Sequence, residues 1–223
     1  MKYMAIIGDI KESKKIEKRS IMQKKLNKIL GEVNELYASD ISAKFIITLG
    51  DEFQGLLNKG EHILDMIQYI QKKMYPVKIR FGIGIGEIST EIYHEAAIGA
   101  DGPAYYAARE VLEEIRNQEK KIKKQAADIQ VSLYNNDCLE IEEINMILSF
   151  IKIIEEGWSE QQRCTIWDMA QNGGSQEECA RRMGTTQSTV ARRLADGSYI
   201  TYERAKNIVN DALKHIGEVG YGY

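Results

Sequence analysis

Two short acidic motifs carry the residues best placed to do chemistry. The first is Gly8-Asp9-Ile10, closing an apolar run that begins at Tyr3. The second is Gly50-Asp51-Glu52, set between the apolar runs Phe45–Leu49 and Phe53–Leu57. An apolar run, a tight Gly-Asp turn and a second apolar run predict a β-hairpin with carboxylates at its tip. If the first strand lies beside that hairpin, Asp9 and Asp51 meet at one edge of the sheet. Carboxylates placed so can hold a divalent cation, and Mg²⁺ is commonly held by one or two carboxylates together with substrate phosphates. That geometry suits phosphoryl or nucleotidyl transfer.

The elements that must position these residues follow from periodicity. After the strand Tyr3–Gly8, the segment Ile16–Tyr37 places Met22, Leu26, Ile29, Val33 and Leu36 at helical spacing. The hairpin comes next. Ile63, Ile67, Ile70 and Met74 then form one helical face, stopped by Pro76. Strict alternation over Val77, Ile79, Phe81, Ile83 and Ile85 predicts a strand. Gly102-Pro103 opens a helix through Ala108 and Leu112, a basic run at Lys120–Lys124 trails it, and Ile129–Tyr134 is a further short strand. The order β-α-β-β-α-β, then α-β, predicts an α+β fold of ferredoxin-like type: an antiparallel sheet with helices packed on one face. The glycines Gly82, Gly84 and Gly86 lie on one strand face, where they permit close approach of a helix or a ligand.

From Trp158 the pattern changes to short helices, which places a boundary near Glu155-Glu156-Gly157 and divides the chain into residues 1–156 and 157–223. Ala180, Gly184 and Val190 have helix-turn-helix spacing: a small residue where two helices cross, a glycine at the turn, and an apolar residue packing the second helix on the first. Thr186 can cap that second helix. The helix Gln187–Ala195 would then present Gln187, Ser188, Thr189, Arg192 and Arg193, side chains suited to base edges and phosphates. A helical dimerisation module using the same crossing is the alternative. Gly217–Tyr223 reads as a tail.

Bulk properties bound these readings. The 223 residues carry a formal net charge of −3, which gives no global attraction to nucleic acid or anionic membrane. From Trp158 onward eight Lys and Arg balance eight Asp and Glu, so non-specific DNA affinity should be modest. Cys138, Cys164 and Cys179 show neither disulfide nor zinc spacing and read as buried small hydrophobes. No signal peptide is visible and Ile144–Ile154 is too interrupted to span a bilayer, so a cytoplasmic protein is expected.

The first 134 residues resemble class III nucleotide cyclases and GGDEF domains. The resemblance rests on Asp9 ending the first strand, Leu49-Gly50-Asp51-Glu52-Phe53 at the hairpin, and Arg80-Phe81-Gly82-Ile83-Gly84 followed by Gly99–Arg109. It implies Mg²⁺ or Mn²⁺ bound by Asp9, the Ile10 carbonyl and Asp51, with Glu52 as a further acid, and Arg109 contacting phosphate. The Asn that a cyclase carries four residues before that Arg is Tyr105, and a cyclase purine-reading Lys is Ile47. Taken with the C-terminal helical module, these motifs are similar to those of the SatD family of bacterial proteins. The resemblance implies a homodimer. Two functions follow: a DNA-binding regulator whose first domain senses a nucleotide or metal, or a metal-dependent nucleotidyl-transferring enzyme acting on nucleoside triphosphates.

Overall fold

The computed structural model describes residues 2–13, 18–121, 127–136 and 138–218. Among the described residues five strands are formed: β1 (Tyr3–Ile10), β2 (Ile41–Leu49), β3 (Glu52–Leu57), β4 (Ile79–Gly86) and β5 (Ile129–Leu133). The helices are α1 (Arg19–Leu36), α2 (Ile63–Met74), α3 (Pro103–Lys121), α4 (Leu139–Glu156), α5 (Glu160–Asn172), α6 (Gln176–Met183), α7 (Gln187–Asp196) and α8 (Tyr199–Glu218). Residue 16, the expected start of the first helix, lies outside the described residues, as do residues 219–223 of the expected tail. Packing divides the chain into two compact units, Met1–Leu148 with Val209–Tyr223, and Ser149–Ile208. The expected break between residues 156 and 157 lies at the end of α4, whereas this division falls within that helix. The second half of α8 returns to the first unit, where Asn210 accepts from the Leu64 amide and Gly60 lies against the Leu213 backbone.

The first unit is α+β, with strand order β2-β3-β1-β4-β5. β1 pairs antiparallel with β3 and β4, and β2 with β3, which is the ferredoxin-like arrangement. β5 departs from the expected all-antiparallel sheet and runs parallel to β4, because α3 carries the chain back along the sheet before it pairs. The helices also occupy both faces rather than one. Tyr3, Ala5, Ile7 and Asp9 share a face with Gly82 and Gly84, and that face packs on α3. A methyl group at Gly84 would lie 2.0 Å from the Ala104 carbonyl oxygen, so the glycines let the helix backbone rest directly on the strand. The opposite face, with Met4, Ile6, Phe53, Phe81 and Ile83, is equally buried, and the mutually packed α1 and α2 supply apolar stripes to cover it. Along the β2 edge, the Lys44 backbone pairs with His94 and Ala97 of the loop before α3, which covers that edge.

The second unit is all-helical. Ser159 and Ser175 each form a capping box, with Gln162 and Glu178, and so fix the starts of α5 and α6. Trp158 donates its indole N–H to the Gly197 carbonyl at 2.7 Å and packs edge-on against Tyr202. Of the three cysteines Cys179 is buried, Cys138 is half-buried and Cys164 is exposed, so the burial expected for all three holds fully for Cys179 alone. Cys164 sits on the outward side of α5, whose inward side is taken by Thr165, Ile166 and Trp167.

Candidate functional site

β1 carries Asp9 within the strand rather than after it, and strand pairing sets Asp9 between Glu52 on β3 and Arg80 on β4. Residues paired in register share a face, so a row of acid, acid and guanidinium crosses the sheet beneath α3. Gly50, with φ 64°, and Asp51 make the turn between β2 and β3. The Asp51 carbonyl accepts from the Ile10 amide at 3.2 Å, and its carboxylate accepts from the Ser13 hydroxyl. The structure therefore brings Asp9, Ile10, Asp51 and Glu52 together.

Asp9 is buried and ion-paired. Its Oδ2 accepts from Arg80 Nη1 at 2.7 Å and from Arg116 Nε at 3.2 Å, and its Oδ1 lies 3.2 Å from Arg116 Nη2. The same Arg116 nitrogen is 3.6 Å from Glu52 Oε2, so one guanidinium bridges both carboxylates. Arg80 is held in turn by Glu119, which accepts from its Nε at 2.8 Å and Nη2 at 2.5 Å. Lys11 extends the network, 2.5 Å from Glu119 and paired with Asp128. Burial pushes the Glu52 carboxyl above its ordinary range, working against Arg116 and Arg109 nearby. Burial acts against the charge of Arg116, but hydrogen bonds to Asp9 and Glu113 outweigh it and hold the guanidinium protonated.

Arg109 is exposed, close enough to Glu52 to act on it electrostatically. Tyr105, one turn earlier, is fully buried in a cluster with Ala5, Ile7, Leu56, Ala104 and Ala108. Its hydroxyl has no hydrogen-bond partner among the described residues, and burial pushes its pKa up. This side chain faces the core.

Sequence reasoning missed the roles of Arg80 and Arg116. The available signals were the pairing of Arg80 with Asp9 across two adjacent strands, and the two-turn spacing of Arg109 and Arg116 on one helix face. The spacing predicts a helix through Ala108 and Leu112 with a basic run trailing it, and α3 runs on to Lys121 and so includes Arg116 and Glu119.

The metal expectation can be tested on this donor set. Mg²⁺ needs free carboxylate oxygens at about 2.0–2.1 Å in near-octahedral array. Asp9 has both oxygens in contact with guanidinium nitrogens, and one of those guanidiniums also lies 3.6 Å from Glu52. Among the described residues no group of three or more His, Cys, Asp or Glu is arranged to hold a metal ion. As arranged, the residues do not fit a divalent cation.

In the second unit, α6 and α7 are joined through Gly184, left-handed at φ 61°, with Thr186 capping α7 by accepting from the Thr189 amide. Ala180, Val190 and Leu194 are buried between the helices. Gln187, Ser188 and Arg192 are exposed and Thr189 is half-buried. Arg193 is turned back, with Nη1 3.4 Å from Thr165 Oγ1. Arg182 ties α6 to α5 through Asp168 at 2.6 Å.

A family model matches residues 3–213, nearly the whole chain. The chain belongs to the SatD family. No curated protein matches it. Among solved structures, this SatD-family chain is similar to a bacterial light-regulated adenylyl cyclase, with TM-score 0.42 and 13% identity over 59% of this chain and 75% of that one. It is similar to the catalytic core of a rhodopsin-guanylyl cyclase solved with ATPalphaS, with TM-score 0.36 and 13% identity over 48% of this chain and 70% of that one. A regulator of polyketide synthase expression from Bifidobacterium adolescentis matches with TM-score 0.27 and 15% identity, covering 97% of this chain and 80% of that one.

Proposed function

We propose that this SatD-family chain is a DNA-binding regulator that reads DNA through α7, works as a homodimer, and uses its first unit as a sensory domain. The observation that carries this reading is the α6–Gly184–α7 geometry, which leaves the polar N-terminal end of α7 exposed. Gln187 and Ser188 sit there, with Arg192 just over one turn further on. In helix-turn-helix proteins that end of the second helix meets base edges in the major groove.

Charge and the two sides of α4 support pairing of two chains. A module with equal numbers of acidic and basic residues gains little from counterion release, so adequate affinity requires two half-sites read together. α4 buries Ile141, Ile144, Leu148 and Ile151 on one side, yet exposes Leu139, Met146, Phe150 and Ile153 on the other. A helix apolar on both sides belongs between two packed surfaces, and a second copy supplies the missing one. In the first unit, exposed Arg109 beside Glu52 is the group suited to a nucleotide phosphate. Nucleotidyl transfer is the weaker reading, because Tyr105 is committed to the core and Asp9 to arginines.

The test is selection by the full-length chain from a pool of random-sequence duplexes. Enrichment of inverted repeats, with half-sites about 10–10.5 bp apart or a multiple of that, is the expected result. Absence of any enriched sequence would return the module to a purely dimerising role.

A further inference from the structure

We infer that Arg116, supported by Arg80, is a resident cation that takes the place of a divalent metal at the Asp9–Asp51–Glu52 cluster, so that this site works without Mg²⁺ or Mn²⁺. The inference goes beyond the proposed function, which does not depend on it. It rests on where the guanidiniums lie. Arg116 reaches Asp9 with two nitrogens at 3.2 Å and Glu52 at 3.6 Å, spanning two carboxylates that a bound cation would also have to span. Arg116 Nε donates to Asp9 Oδ2 while Nη2 faces Oδ1 as an ion pair, and a planar fork set against one carboxylate is a geometry that arginine offers and lysine does not.

Competition by a metal ion would be costly. Asp9 is 5% exposed, and the Arg80 and Arg116 side chains are 15% and 29% exposed, so the pairs are poorly screened by water. A divalent ion at Asp9 would displace Arg116 and sit within a few ångströms of Arg80, which cannot withdraw because Glu119 holds it through two nitrogens. Removing one partner of a buried pair is unfavourable in itself, and here the incoming ion would also meet a fixed like charge. Arg80 thus acts as a positioning residue that keeps Asp9 committed, and Arg116 fills the cation's place.

The experiment counts bound Mn²⁺ by electron paramagnetic resonance on the full-length chain, with Asp51→Asn, Arg116→Gln and Arg116→Lys as variants. We expect wild type and Asp51→Asn to bind the same amount of Mn²⁺, because the cluster contributes no site. Arg116→Gln should gain a Mn²⁺ site that disappears again when Asp51→Asn is added, while Arg116→Lys, which keeps the positive charge, should gain none. A Mn²⁺ site present in wild type and absent from Asp51→Asn would overturn the inference. So would a folded Arg116→Gln variant that gains nothing. If Arg116→Gln does not fold, the comparison of wild type with Asp51→Asn decides the matter alone. Failure here would leave the DNA selection untouched, and failure there would leave the metal count untouched.

Discussion

Gly84 gives the sharpest test of how α3 is seated over the acidic row. It lies in the middle of β4, paired with Ala5 on one side and Ser132 on the other. A methyl group there would meet the Ala104 carbonyl oxygen at 2.0 Å and the Ala108 nitrogen at 2.3 Å. Carbon–oxygen contacts between packed backbones close to only about 3.3–3.6 Å. Both neighbours are main-chain atoms of α3, so no rotamer change relieves the clash and the helix must lift by roughly 1 Å or more. Overpacking a core typically costs about 1–3 kcal/mol. A gap of 0.5–1 Å also forfeits about a quarter to a half of each dispersion contact along the buried Ala104, Tyr105, Ala108 and Leu112 stripe. We therefore expect Gly84→Ala to destabilise by about 3–5 kcal/mol, a large part of the ~5–15 kcal/mol that holds a typical domain. The internal control is Gly31, exposed in α1 with nothing within 4 Å of an added methyl group, where Gly31→Ala should stabilise by about 0.5–1 kcal/mol. Urea unfolding followed by far-ultraviolet circular dichroism reads both. For a slope of about 2 kcal/mol/M, the midpoint should fall by about 1.5–2.5 M for Gly84→Ala and rise by a few tenths of a molar for Gly31→Ala. A Gly84→Ala midpoint within about 0.3 M of wild type would refute the direct seating of α3 on β4.

Two further outcomes follow from the second unit and from α4. Burial, the largest single influence, pushes the Asp168 carboxyl up, but hydrogen bonds from Arg182, Cys179 and Asn172 outweigh it and hold it below the ordinary carboxylate range. Such a group stabilises the fold above its unfolded pKa of about 3.9 and loses that contribution as pH falls through its lower folded value. Asp168→Asn should therefore lower the urea midpoint at pH 7, with the gap to wild type closing below about pH 4; a gap that stays constant to acid would assign the effect to packing. Phe150→Glu, on the exposed apolar side of α4, should convert a dimer to a monomer in analytical ultracentrifugation without loss of helix content. A wild-type chain that sediments as a monomer at micromolar concentration would remove α4 as the pairing surface.

Much of the first unit was legible because its signals are local. Alternation in β4, the helical face of α2 and the Gly-Asp turn each follow from neighbouring residues, and together they fixed the order of elements and the meeting of Asp9 with Asp51 and Glu52. What escaped was set by long-range register. Arg80 reaches Asp9 only because β4 pairs beside β1, and Arg116 only because three glycines lower α3 onto the strands. Neither relation has a short-range signature, so the carboxylates read as metal ligands while their partners went unassigned. Packing faces were hidden for the same reason: the pattern of α3 says that it has a buried side, and not which face of the sheet receives it. In the second unit the Ala180–Gly184–Val190 spacing located the turn, yet it gave no sign that Arg193 bonds back to Thr165 while Arg192 stays exposed.

The central claim, that α7 reads DNA, is tested most directly by the salt dependence of binding to a selected duplex, measured by fluorescence anisotropy for wild type and Arg192→Ala. The account predicts salt-dependent binding by wild type. It also predicts that Arg192→Ala loses about 1–3 kcal/mol, roughly 5- to 150-fold in affinity, if Arg192 meets a base, or shows a salt slope flatter by about one if it meets a phosphate. Identical affinity and identical slope for the two proteins, or no salt-dependent binding by wild type, would contradict it.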